Sequence, residues 1–134
     1  MLDQIANNDA LILVARILLM ALFISIGWEK LTNFSATVGY MRTVKAPLPA
    51  IAAAIAVVME FFVGIAIIVG ILTRPLALAF AAFTLGTALL GHRFWTMDGE
   101  MRHENKINFL KNMSIIGGML LLAVTGSGRF SIRP

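Results

Sequence analysis

The chain contains no cysteine, which excludes disulfide bonds, thiol exchange, cysteine-ligated metal and thiolate catalysis. Any redox chemistry would need a cofactor or a partner brought from elsewhere. Charge is scarce as well: Asp, Glu, Lys and Arg make up 13% of the 134 residues, too few to solvate a water-soluble domain of this size. The net charge is +4, but the basic residues form no stripe and do not interleave with aromatics, so nucleic acid is not the expected partner. Anionic lipid headgroups are the natural counter-charge. The two histidines, His92 and His103, lack a paired ligand spacing, which argues against a metal or a bis-histidine haem within the chain. No nucleophile elbow, phosphate loop, pair of catalytic carboxylates or zinc motif occurs, so nothing points to a self-contained enzyme with an intrinsic cofactor.

What the chain does have is apolar length. Hydrophobic residues make up 59% of it and the mean hydropathy is +0.87. The apolar residues gather in four runs, at about 10–31, 48–72, 76–95 and 107–124, each long enough to cross hydrocarbon roughly 30 Å thick as a helix. The expected fold is therefore all-α, an integral membrane four-helix bundle forming a single transmembrane domain over residues 1–134. The first run reads as a retained helix, because Arg16 lies inside it and Gly27-Trp28-Glu29-Lys30 ends it, unlike a cleaved leader. Thr73-Arg74-Pro75 breaks the second run from the third. His92-Arg93-Phe94-Trp95 places aromatic and basic side chains at a membrane interface. Thr32 to Pro47 and the charge-dense Thr96 to Lys106 are expected as polar connections on one side, with both termini on the other. Arg42, Lys45, Arg102 and Lys106 on the long-loop side stand against Arg74, Arg129 and Arg133 on the terminus side, a balance that leaves the orientation open.

A charge inside a span is costly, so Arg16, Glu60 and Lys111 need an explanation. At 1.5 Å rise per residue, Glu60 lies roughly 15–18 Å from the start of its run, and Lys111 roughly 6–9 Å from the start of its own. Either Lys111 from the long-loop side or Arg16 from the terminus side could reach the Glu60 carboxylate. Both cations could instead snorkel to the nearest interface. In the fourth run Asn105, Asn108, Lys111 and Asn112 share one helical face. That face serves either as interhelical hydrogen-bonding glue or, together with Lys30, Glu60 and His92, as the lining of a polar pocket open toward the long loops. Ala66-x-x-x-Gly70, Ala82-x-x-x-Gly86 and Gly117-Gly118 are expected to let helices approach closely.

These residues resemble those of the DoxX-like family of small four-helix bacterial inner-membrane proteins. The resemblance covers nearly the whole chain. It is carried by Arg16 and Gly27-Trp28-Glu29-Lys30-Leu31, by Glu60-x-x-x-Gly64 with Gly70 and Thr73-Arg74, and by Asn108-Phe109-Leu110-Lys111-Asn112 leading into Gly117-Gly118. A closing Gly126-Ser127-Gly128-Arg129-Phe130-Ser131 adds to it. The resemblance implies a location in a bacterial inner membrane and an association with membrane redox or respiratory systems. With no cysteine present, that role would be one of an accessory or scaffold subunit, with a protein partner or homo-oligomer in the bilayer. The alternative is a bundle that binds a quinone, lipid or other small molecule around Glu60 and Lys111. Proton or ion passage using Glu60 is a third reading.

Overall fold

A computed structural model of the protein describes residues 8–133. Its described residues form five helices: α1 Asp9–Thr32, α2 Phe34–Thr43, α3 Pro49–Val69, α4 Thr73–Gly91 and α5 Gly99–Thr125. The fold is all-α. Four of the five, all but the short α2, are long and apolar enough to cross a membrane. Their outward residues are apolar too, with Leu18, Leu121 and Val124 each at least 69% exposed, as lipid-facing positions should be.

Each helix begins and ends for a local reason. Asn8 caps α1 by accepting hydrogen bonds from the backbone N–H groups of Ala10 (2.9 Å) and Leu11 (3.2 Å), satisfying donors that have no partner within the helix. Pro49 opens α3, where its missing N–H costs nothing. Gly70, at φ +83°, ends α3 in the left-handed conformation glycine tolerates. The middle of α3 departs from α geometry, with Val58–Val63 forming a π-helical turn.

Helices α1 and α3 pack closely along their length, as do α4 and α5. The two pairs meet in a core of Met20, Phe23, Ile67, Ala77, Phe80, Ala81, Met119 and Leu122, where Phe23 and Phe80 make an edge-to-face contact at 4.8 Å. A smaller cluster of Met41, Ala46, Ala53 and Ala56 seats α2 on the first turns of α3. After α5 the chain turns at Gly126 and runs back as an extended strap. Within it Ile132 N–H donates to Val69 O (2.9 Å), Arg133 N–H to Gly70 O (3.0 Å), and Leu72 N–H to Arg133 O (2.9 Å). Asp9 accepts from Arg129 N–H at 3.0 Å and pairs with its Nε at 3.4 Å. The strap thus binds the start of α1 to the α3–α4 turn.

Three local expectations change. Thr32 to Pro47 contains α2 rather than only a polar connection. Thr96 to Lys106 is not a loop, because α5 starts at Gly99 and carries two charged turns beyond its apolar run. Glu100, Arg102, Glu104 and Lys106 are good helix formers when solvated, and Glu100 sits in the first turn, where the helix dipole favours an anion. Close helix approach also falls on other glycines. Of the expected set, a Cβ on Gly118 would lie 3.3 Å from Leu19 and one on Gly70 2.4 Å from Ser131, while one on Gly86 or Gly117 would meet nothing within 4 Å; the closest helix approaches add Gly27, 2.7 Å from Phe61 N, and Gly64, 3.0 Å from Ile24.

Candidate functional site: a buried ion pair at the long-loop end

Gly27 sets up the site. Having no side chain, it lets the α1 backbone press on the π-helical turn of α3 at Glu60 and Phe61. Lys30, nearly one turn further along the same face, then reaches Glu60, with Nζ 2.7 Å from Oε2. Glu60 is buried, with 5% of its surface exposed, and the side chain of Lys30 is 24% exposed. An inserted π turn rotates the residues that follow it relative to a regular helix, and such turns recur at functional sites. Trp28 lies over Phe61 with ring centroids 5.6 Å apart, flanking the pair with apolar surface. A charge-assisted bond held in such a setting is strong.

Lys30, but not Glu60, borders a shallow open cleft of about 310 Å³ lined by Ile26, Glu29, Lys30, Asn33, Ala36, Thr37 and Tyr40. Helix α2 forms its far wall and is anchored over the end of α1 by Thr37, whose hydroxyl donates to Lys30 O (3.3 Å) and Asn33 O (3.1 Å). Partial burial pushes the Tyr40 phenol above its ordinary value, so at neutral pH it stays a protonated donor on the rim. Lys30 therefore faces two ways, toward Glu60 inside and toward the cleft outside.

The other candidate residues divide into separate places. His92 Nδ1 lies 2.9 Å from Asn105 Oδ1. Because Asn105 Nδ2 donates to Met101 O (2.8 Å), its oxygen faces the ring and Nδ1 of His92 is the donor. Asn108 and Asn112 are half-buried on the same face of α5. Lys111 is exposed and belongs to no ion pair among the described residues. Arg16 is not a partner of Glu60 either. It is fully buried, with Nη1 donating to Ile67 O (3.4 Å) and Nη2 to Phe130 O in the strap. Neither cation weighed for Glu60 from the sequence holds it; Lys30 does. Phe94, Trp95 and Phe109 meet edge to face at 5.2–5.6 Å at the long-loop end of α5, and Arg93 Nη2 donates to Val44 O (3.3 Å). Among the described residues no three His, Cys, Asp or Glu side chains group closely enough to hold a metal.

The sequence profile of the DoxX family matches residues 11–93, a span that takes in Arg16, Lys30, Glu60 and His92. The chain belongs to the DoxX family. It is 49% identical over 127 residues to the inner membrane protein YphA of Escherichia coli, covering 95% of this chain and 91% of that one. It is 43% identical over 128 residues to the E. coli inner membrane protein YqjF, covering 93% and 91%. A 62-residue stretch, 46% of this chain, is 36% identical to the uncharacterized protein T02E1.7 of Caenorhabditis elegans, of which it covers 23%. No solved structure matches. The DoxX relatives and the four spanning helices together make this a multi-pass inner membrane protein.

Proposed function

We propose that this chain, acting as one transmembrane unit, is a non-catalytic binding module that holds the polar head of an apolar-tailed small molecule, a quinone or a lipid, at Lys30 and Glu60. The observation that carries the reading is the Lys30 side chain, 24% exposed and fixed by the buried Glu60 at 2.7 Å, which borders the 310 Å³ cleft. A ligand carbonyl or phosphate oxygen in the cleft would accept from Lys30 without breaking the inner pair. Tyr40 and Asn33 supply further polar contacts at the rim, and the apolar flank of α1 accommodates a tail. Such a site, mostly apolar with a few fixed polar groups, has the character of a small-molecule pocket.

The test is binding of a short-chain quinone and of a short-chain phospholipid to protein in nanodiscs, followed by Trp28 fluorescence. Saturable quenching is expected, weakened at least tenfold in a Lys30→Met/Glu60→Gln double variant that removes both charges together. Equal binding by that variant and the parent would sink the reading.

A second reading, an accessory subunit docked to a membrane redox or respiratory partner, draws support from α5. Lys111, Ser114 and Gly117 are all exposed on it, so a charge and two small residues face outward within a span. Gentle solubilisation and pull-down followed by mass spectrometry should recover a stoichiometric partner. Consistent recovery of the chain alone would count against it.

A further inference from the structure

We infer that the terminus-side end of the bundle holds a small monovalent anion of halide size between Arg16, Thr73 and Ser127. This site lies away from Lys30 and Glu60 and does not depend on the function proposed for them. Arg16 has no exposed surface, and a guanidinium cannot shed its charge as a lysine can. Its two assigned hydrogen bonds go to neutral backbone carbonyls, of Ile67 and Phe130. No carboxylate among the described residues pairs with it, and Asp9, the acid at this end, is taken by Arg129. A buried charge left in this state is strongly unfavourable unless something of opposite sign lies beside it.

Three buried polar atoms lack a hydrogen-bond partner among the described residues: Arg16 Nε, Thr73 Oγ1 and Ser127 Oγ. Thr73 and Ser127 are 1% and 2% exposed. The same two segments bracket all three. Arg16 Nη1 abuts Gly70, three residues before Thr73, while Nη2 binds Phe130, three residues after Ser127. Arg74, next to Thr73, lies over Gly126, next to Ser127. All three orphans can donate. A water would satisfy their bonds and leave the charge; an anion does both.

Size follows from packing. A Cβ on Gly70 would lie 2.4 Å from Ser131 Cβ and 2.7 Å from Arg16 Nη1, so packing on that side of the guanidinium is tight and favours a small ion over a polyatomic one. Arg74 and Arg133 at the same end add a positive field that raises the local anion concentration.

The experiment uses the full chain, purified in gluconate and melted in nanodiscs with chloride, bromide, sulfate or gluconate at matched ionic strength. Chloride and bromide should each raise the melting temperature saturably, with sulfate no better than gluconate. Thr73→Val and Ser127→Ala, which keep the arginine and so fold, should each shift the chloride midpoint about tenfold higher, as expected for loss of a hydrogen bond to a charge. Crystals grown in bromide should show anomalous density within hydrogen-bonding reach of Arg16 Nε. Equal melting in chloride and gluconate overturns the proposal, and so do unmoved midpoints in both variants. Stabilisation by sulfate equal to that by chloride overturns the size assignment.

Discussion

Removing Lys30 separates the ion pair from every other feature of the long-loop end. In Lys30→Met the apolar stem survives, but Glu60, 5% exposed, loses its 2.7 Å partner. Breaking a buried pair by deleting one member costs about 3–5 kcal/mol, because the remaining charge is uncompensated. Lys30 is partly exposed, which places the expected loss near the lower bound, about 3 kcal/mol. Glu60→Gln should cost less, about 1 kcal/mol, since the freed ammonium can extend into the cleft and find water. The double variant, carrying neither charge, should fall within about 1 kcal/mol of the parent. The coupling in the cycle is then about 3 kcal/mol, well above the 0.5 kcal/mol at which independent sites are taken as additive. Reversible unfolding in mixed micelles, followed by Trp28 fluorescence, measures all four proteins. Single effects that add within about 0.5 kcal/mol would refute the reasoning, and the Lys30–Glu60 contact would carry no energy of its own.

Gly27→Val places branched carbons where even a Cβ would lie 2.7 Å from Phe61 N. It should cost about 1–3 kcal/mol by overpacking and abolish the Lys30–Glu60 coupling, read by repeating the cycle in that background; an unchanged coupling would contradict the close approach. Gly70→Ala forces a Cβ into a left-handed residue, at about 1–2 kcal/mol, and against Ser131. The strap should loosen, seen as faster carboxypeptidase trimming of the residues after Gly126, whereas unaltered trimming would count against its docking there.

The four spans and the all-α fold were legible because lipid imposes long apolar runs, and those survive any detail of packing. Helix α2 and the first turns of α5 were not: the Phe34, Val38 and Met41 stripe of α2 spans only two turns among polar residues, and the first turns of α5 are as polar as a loop. The partner of Glu60 was missed for a geometric reason. Depth was counted from the start of α3, but its first turns extend past the end of α1 to pack on Met41 and Ala46 of the α2 region. Glu60 consequently faces Gly27 and Lys30 near the end of α1, instead of lying deep beneath them. The charge of Lys30 at the end of the first run is plain in the sequence, while the π-helical turn that brings Glu60 to it has no signature in composition. Arg16 was flagged by its charge alone, and its carbonyl partner, 114 residues away, leaves no local pattern to read. On α5, Asn108 and Asn112 are half-buried, whereas Lys111, expected on the same face, is exposed.

The strap also sets an order of assembly. It is synthesised after all four spans, yet it supplies the carbonyl that receives Arg16, the N–H that meets Asp9 and the backbone pairing that fixes the α3–α4 turn. Until those residues emerge, the first helix inserted carries an arginine held by the Ile67 carbonyl of α3 without its second backbone acceptor. The bundle is thus closed from a segment made after α5 back to the first helix, and a chain cut short before Phe130 would leave that arginine with the Ile67 carbonyl alone.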